Sequence, residues 1–203
     1  MGKRTQIESA LAAIVQALNG TSAAWVVGGS TGLMLRGLPL LAAPNDIDLY
    51  TDDEDYDRIY ERLEPYAADT KQLSECGSYR SMLSHFVIEG VSVELVGGFV
   101  VRAKGCRYVT EVRSLLGPSS ELVIIQHEGR DIAVPVIPLA HELWFNVLRN
   151  REDRIQLIIE HYIMDPSRHE RLRLQLEKRN VLTVEAKKQL TQRLADRQAG
   201  VAR

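Results

Sequence analysis

Two short segments alternate so strictly between apolar and polar residues that they leave the backbone few options: Asp46-Ile47-Asp48-Leu49 and Val91-Ser92-Val93-Glu94-Leu95. Alternation with period two marks a strand with one face buried, because successive side chains leave the chain on opposite sides. In the first segment Ile47 and Leu49 claim the buried side and Asp46 and Asp48 the other. In the second, Val91, Val93 and Leu95 are buried, leaving Ser92 and Glu94 on the opposite face. Such strands require a sheet with a hydrophobic core on one face and carboxylates on the other. If the two strands are neighbours, three acids converge on one patch.

The surrounding pattern fits that sheet. Ile7, Leu11, Ile14, Val15 and Leu18 recur at three and four, which predicts an amphipathic helix over 6–18 ended by Asn19-Gly20. Residues 24–28 then read as a buried strand that stops at glycine, and Gly28-Gly29-Ser30 turns it into a short helix through Leu33, Met34 and Leu35. Ser30 suits the cap or first turn of that helix, and Gly37 and Pro39 end it. The acidic run Asp52 to Asp57 opens a further helix, complementing the partial positive charge of its start. Hairpins are predicted for 82–89 with 91–96, and for 122–127 with 131–136. From Leu139 the chain is helical, broken at Asp165-Pro166-Ser167, with further helices around 168–178 and 184–198. The predicted fold class is α+β, a mixed sheet flanked by helices. Residues 1–137 form its core, and 138–203 form a helical C-terminal region packed on it.

The chain has 203 residues, 45% apolar and 26% charged, enough for a substantial core. Its apolar runs break well short of the ~20 residues of a membrane span, and Met1-Gly2-Lys3-Arg4 leads into no signal-peptide core. A cytoplasmic protein with no membrane partner is expected. Cys76 and Cys106 have no close metal spacing and are read as reduced structural thiols. The net charge of −2 conceals an asymmetry: residues 1–148 carry 12 Lys+Arg against 19 Asp+Glu, and residues 149–203 carry 13 against 8. The basic tail is interspersed with acids at helical spacing. That pattern favours a solvated helix surface over a nucleic-acid patch.

Three carboxylates on one patch repel one another unless a cation lies between them. Magnesium prefers carboxylate oxygen and keeps positions open for substrate phosphates. Gly28 and Gly29 lack Cβ atoms and let backbone approach a phosphate, while Ser30 adds a hydroxyl beside the free N–H groups of a helix start. Together the pieces read as a site for a nucleoside triphosphate with Mg2+ or Mn2+. Gly28, Gly29 and Ser30 cradle phosphate, and Asp46, Asp48 and Glu94 serve as metal ligands and catalytic acids for phosphoryl-type chemistry with two metal ions. The five histidines share no short metal spacing. Arg36, Arg80, Arg102 and Lys104 could reach a triphosphate if their elements border the cleft, although a surface role is favoured for each. Trp25, Trp144 and Tyr162 are read as core.

Val26-Val27-Gly28-Gly29-Ser30 followed by Asp46-Ile47-Asp48 and the later Glu94 resembles the nucleotidyltransferase superfamily that includes DNA polymerase β. It looks most like the small bacterial branch with lincosamide, aminoglycoside and toxin-type nucleotidyltransferases. The resemblance covers about residues 22–100. It implies transfer of a nucleoside monophosphate from a metal-bound triphosphate to a hydroxyl with release of pyrophosphate. Phosphate binding falls to Gly29 and Ser30, metal binding to Asp46 and Asp48, and a third-ligand or base role to Glu94. The acceptor stays open among a small molecule, an RNA end and a protein, and a homodimer is kept open as well. Two departures stand out: Leu41-Ala42-Ala43-Pro44 occupies a stretch where relatives carry Arg or Thr, and Asn146 takes the place of a Lys. They motivate an alternative, a catalytically weak nucleotide-binding or toxin–antitoxin component with the same fold.

Overall fold

In the computed structural model residues 2–201 are described, and they divide into two compact units. The first comprises residues up to Phe99 together with Thr110–Ile137, and the second comprises Val100–Val109 together with the chain from Pro138 onward. The fold is α+β, built on a mixed eight-stranded sheet.

Helix α1 (Lys3–Ala17) leads to β1 (Trp25–Gly28), the short helix α2 (Gly29–Leu35), β2 (Asp46–Thr51) and α3 (Asp53–Leu63). Strands β3 (Gln72–Cys76), β4 (Tyr79–Ile88) and β5 (Val91–Ala103) follow, then β6 (Cys106–Val109), β7 (Glu121–His127) and β8 (Arg130–Val136). The strand order is β3-β4-β5-β2-β1-β8-β7, with β6 paired to β5. β2 runs antiparallel to β1 and parallel to β5, and β1 runs parallel to β8.

The period-two pattern sets this arrangement. Ile47, Leu49, Val93 and Leu95 are fully buried and join Ile7, Leu11 and Ile14 of α1 and Tyr56, Ile59 and Leu63 of α3 in one core. Each such side chain contributes about 1.5–3 kcal/mol on burial. A shift of β2 by one residue would put Asp46 and Asp48 into this core, so its register is strongly specified. Tyr56 crosses the core with its hydroxyl 2.6 Å from Ser84 Oγ, and burial pushes its pKa up to about 12.

Several elements depart from the pattern read in the sequence. β5 continues past Gly97-Gly98 to Ala103, because these glycines provide clearance rather than a stop. A Cβ on Gly97 would strike the Tyr56 ring, and Gly98, at φ +53°, would strike the Asp53 carboxylate. β3 and β6 were not predicted. β3 is almost wholly exposed and so carries no burial alternation, and β6 is only four residues long. A π-helical turn at Val112–Leu116 was also not anticipated. Ser30 lies in the first turn of α2, whose cap position belongs to Gly28.

The second unit contains α4 (Leu139–Leu148), α5 (Glu152–Tyr162), α6 (Pro166–Arg179) and α7 (Val184–Val201). Asp165 breaks the helical run by capping the next helix: its side chain accepts from the Arg168 N–H, and Pro166 occupies the first turn. Trp144, Tyr162 and Tyr108 are fully buried, and Tyr108 OH lies 2.8 Å from His141 Nδ1. Complete burial drives the His141 pKa down to about 3, so this histidine is a neutral core residue. No described helix is long and apolar enough to cross a membrane.

Candidate functional site

The sheet register places the predicted residues in rows. Gly28 of β1 pairs with Asp48 of β2, and Asp48 pairs with Glu94 of β5. Asp46 lies opposite Ser92, two positions earlier on the same face. That face is opposite the core, since Ile47, Leu49, Val93 and Leu95 all point the other way. Asp46, Asp48 and Glu94 are half-buried, and Glu94 keeps about a third of its side chain exposed.

Gly29 adopts φ +60°, a left-handed conformation that favours glycine, and a Cβ there would run into the Asp48 carboxylate. The glycine turn and the acidic strand are thus fitted to each other at backbone distance. Thr31, fully buried one residue past Ser30, donates its hydroxyl to the Asp46 carbonyl at 2.6 Å. This bond ties the start of β2 to the helix that follows the glycines. Its sequence signal is slight, since a threonine in a short helix has many uses.

The row extends on its other side. The two-residue turn Glu89-Gly90, both at positive φ, joins β4 to β5 as a tight hairpin. Counting back from that turn sets His85 opposite Glu94, and His85 Nε2 lies 3.9 Å from Glu94 Oε1. The opposite edge of the ring is held by Asp69, whose Oδ1 accepts from the His85 backbone N–H at 2.7 Å and whose Oδ2 lies 2.5 Å from Nδ1. Partial desolvation would raise the Asp69 pKa, but the bonds and charge of His85 outweigh it and hold this carboxyl below its ordinary value. Neither Asp69 nor His85 stood out in the sequence, because sixteen residues separate them and Asp69 lies in a loop.

Three of the four basic candidates are engaged elsewhere, and Arg102 is exposed on β5. Arg36 donates to the Val136 and Ile137 carbonyls at 3.3 and 2.5 Å and pairs with Glu121 at 2.5 Å, which fastens the end of α2 to the β7–β8 hairpin. Arg80 bonds Asp53 and the Gly98 carbonyl, and Lys104 bonds Asn150. Asn146 is buried and donates to the carbonyl and carboxylate of Glu142 on its own helix. In the basic tail, Arg193 pairs with Glu152 and Arg197 with Glu160, across a groove of about 460 Å3 between α5 and α7.

The oxygen-donor chemistry of Asp46, Asp48 and Glu94 suits a hard divalent cation. The three stand side by side along two strands, and among the described residues no group of three or more acidic, histidine or cysteine side chains is gathered as a metal cage. The donors are thus of the type such an ion takes, but as placed they do not form a cage around one.

No protein-family model matches the chain, and no curated protein matches it. Solved structures do. A proposed nucleotidyltransferase from Thermotoga maritima is similar over 77% of this chain and 91% of its own, at 24% identity and a TM-score of 0.61. ANT(2")-Ia, solved in complex with adenylyl-2"-tobramycin, aligns over 88% of this chain and 99% of its own, at 14% identity and a TM-score of 0.48. The lincosamide antibiotic adenylyltransferase LnuA, solved with lincomycin, aligns over 78% and 96%, at 12% identity and a TM-score of 0.42. What the likeness to the Thermotoga protein establishes is the fold, and this chain has a fold of the nucleotidyltransferase type.

Proposed function

We propose that this protein is a nucleotidyltransferase that moves a nucleoside monophosphate from a nucleoside triphosphate to an acceptor hydroxyl. The observation that carries this reading is the row Gly28, Asp48, Glu94, set by strand register beside the left-handed Gly29 turn. The glycine turn admits the triphosphate to the backbone, and the hydroxyl of Ser30 and the N–H groups of the first turn of α2 meet its oxygens. Asp46, Asp48 and Glu94 would hold magnesium or manganese. When bound, the metal would neutralise charge on the phosphates and on the departing pyrophosphate.

Glu94 stands at the far side of the row from the glycines, where the acceptor enters. The acceptor oxygen attacks the α-phosphorus, and its proton passes to the Glu94 carboxylate as the new O–P bond forms. The bond from the α-phosphorus to the bridging oxygen breaks, and pyrophosphate leaves with the electron pair. Fixed orientation of the two reactants supplies a large share of the acceleration in such a transfer.

The test is pyrophosphate release with magnesium, each nucleoside triphosphate and a panel of hydroxyl acceptors. Turnover that collapses in Asp48→Asn supports the reading, and full activity in that variant overturns it. A second reading, a nucleotide-binding or toxin–antitoxin component with little chemistry, draws support from Asn146, whose amide is engaged on its own helix, and from Arg36, whose terminal nitrogens are engaged within the fold. Calorimetry separates the two: tight triphosphate binding without turnover favours the second.

A further inference from the structure

Strand β7 stands at one end of the sheet and is paired on one side with β8, from Glu121 opposite Val136 to His127 opposite Arg130. The ladder fixes which of its backbone groups look outward. Glu128 and Gly129, both at positive φ, form a two-residue turn, whose closing bond joins the flanking residues His127 and Arg130. Antiparallel pairs then alternate, so Glu121, Val123, Ile125 and His127 direct their N–H and C=O groups to β8, while Leu122, Ile124 and Gln126 turn theirs away. The far side of β8 agrees with this phase: Ile137 N–H points to β1 and meets the Val27 carbonyl at 2.8 Å. Among the described residues no backbone bond takes up the outward groups of Leu122, Ile124 and Gln126.

Proteins ordinarily blunt such an edge with lysine, proline, a bulge or a charge. The other edge, β3, is short and carries Glu75. Between its end residues β7 has none of these devices: Leu122-Val123-Ile124-Ile125-Gln126 is regular, uncharged and rich in strand-forming residues, with Leu122 67% and Ile124 55% exposed. The strand is also complementary to itself. Two copies related by a two-fold axis would pair antiparallel, and outward groups must meet outward groups. The register that engages all three outward residues is centred on Ile124. It sets Leu122 against Gln126 of the second copy, Ile124 against Ile124, and Gln126 against Leu122, and each of these pairs exchanges two hydrogen bonds. The same register brings Glu121 opposite His127 of the second copy. A carboxylate accepts and an imidazole has an N–H in either tautomer, so the two ends match. Across the axis Leu122 and Ile124 of both copies line up as one apolar strip, flanked on β8 by Pro135 and Ala133.

We infer that β7 is the surface through which two copies of this chain associate, their sheets joined edge to edge in antiparallel register about Ile124. An extended segment of another protein could use the same outward bonds, but the matched ends and the pairing of Ile124 with itself are properties of this strand alone. The contact is independent of the chemistry at the acid row.

The test uses the full chain. Sedimentation velocity between about 1 and 100 μM is expected to show reversible dimer formation by the wild type. Ile124→Lys sets two ammonium groups against each other on the axis and should weaken association at least about tenfold. At concentrations where both proteins are monomeric its urea midpoint should match that of the wild type, because the side chain it replaces is exposed there. Leu122→Glu should also weaken the dimer, and adding Gln126→Lys to it should restore association, since the register sets position 122 against position 126. Amide exchange gives a second readout. The N–H groups of Leu122, Ile124 and Gln126 should exchange more slowly as concentration rises, while those of Val123 and Ile125, bonded to β8, are protected throughout. A wild type that is monomeric at every concentration overturns the inference and leaves the edge to an extended segment of another protein. So does a dimer that Ile124→Lys leaves intact, or one whose formation does not slow exchange at the three outward amides, since either result puts the interface on another face.

Discussion

Two groups of acids, one at the start of α3 and one on the neighbouring strands β2 and β5, are treated in opposite ways by the fold. Those at the start of α3 are each answered. Asp52 accepts from the Val112 and Arg113 backbone N–H groups, Asp53 meets Arg80, Asp57 meets Lys71, and fully buried Asp55 accepts from Ala24 N–H, Arg58 and Arg113. On β2 and β5 the pattern changes. Among the described residues Asp46 makes no ion pair, and the ionic neighbour of Glu94 is a histidine at 3.9 Å, while Asp48 is held within the row, against the Gly29 turn. The difference teaches that charge alone does not mark a site. Acids matched by arginine, lysine and backbone N–H groups hold the fold together, and acids set side by side along one strand face repel one another unless positive charge is brought to them.

The largest effect separates the groups by activity. Asp48→Asn is expected to lower nucleotidyl transfer at least about a thousandfold, about 4 kcal/mol of transition-state stabilisation. Its unfolding midpoint should be unchanged or slightly raised, since the substitution relieves repulsion with Glu94. Steady-state pyrophosphate release and a urea melt on the same sample check both halves, and a large loss of stability would erase the contrast.

Asp55→Ala should behave in the reverse way. It removes the buried acceptor of the Ala24 N–H and of Arg113, which is half-exposed and keeps Glu54, and leaving a donor unsatisfied costs about 1–3 kcal/mol. The urea midpoint should fall accordingly, while folded protein at low temperature retains triphosphate affinity. A loss of unfolding free energy under about 0.5 kcal/mol would mean that Asp55 is no anchor.

This contrast also explains what could be read from the sequence. The site face was legible because parity is a local property: Ile47 and Leu49 must be buried, so Asp46 and Asp48 cannot be. Local pattern did not reveal Asp69 and His85, which meet only when the β4–β5 hairpin and the loop before β3 have formed. Nor did it carry β5 beyond residue 96, since a glycine that ends a strand and one that makes room for Tyr56 look alike in one dimension. The acidic run was read as complementing a helix start, and its cross-links to Arg80, Lys71 and Arg113 depend on contacts 14 to 58 residues away. Asn146 drew notice as a departure from a resemblance, while its local role, bonding Glu142 one turn back, is explicable by helical spacing alone.

Gly29→Ala sharpens the comparison from the backbone side. The substitution places a methyl group against the Asp48 carboxylate and forces an L-residue into φ +60°, which costs about 1–2 kcal/mol of strain. Triphosphate affinity should fall more than stability does, because the carboxylate and the turn are displaced together. Calorimetric titration beside a melt checks this. If stability alone changes, the turn is structural and Asp48 does not depend on it.

The smallest effect is a pH dependence at the border between the two groups. The Asp69 pKa is lowered in the folded protein, against desolvation, by the N–H donors of His85. A carboxyl with a depressed folded value contributes stability that is fully present above its unfolded value and is lost as pH falls through the lower folded one. Wild type should therefore lose this contribution on the acid side of the ordinary aspartate range, and Asp69→Asn, which does not ionise, should show a shallower decline there. Urea midpoints taken between about pH 5 and pH 3 compare the slopes, below the unfolded aspartate value near 3.9 and above it. Because Asp69 is a third exposed, the difference is expected to be small, and it should shrink further with added salt. Identical slopes would place Asp69 outside both groups. A difference that persists at high salt would place it with the buried anchors of α3 rather than at the edge of the site face.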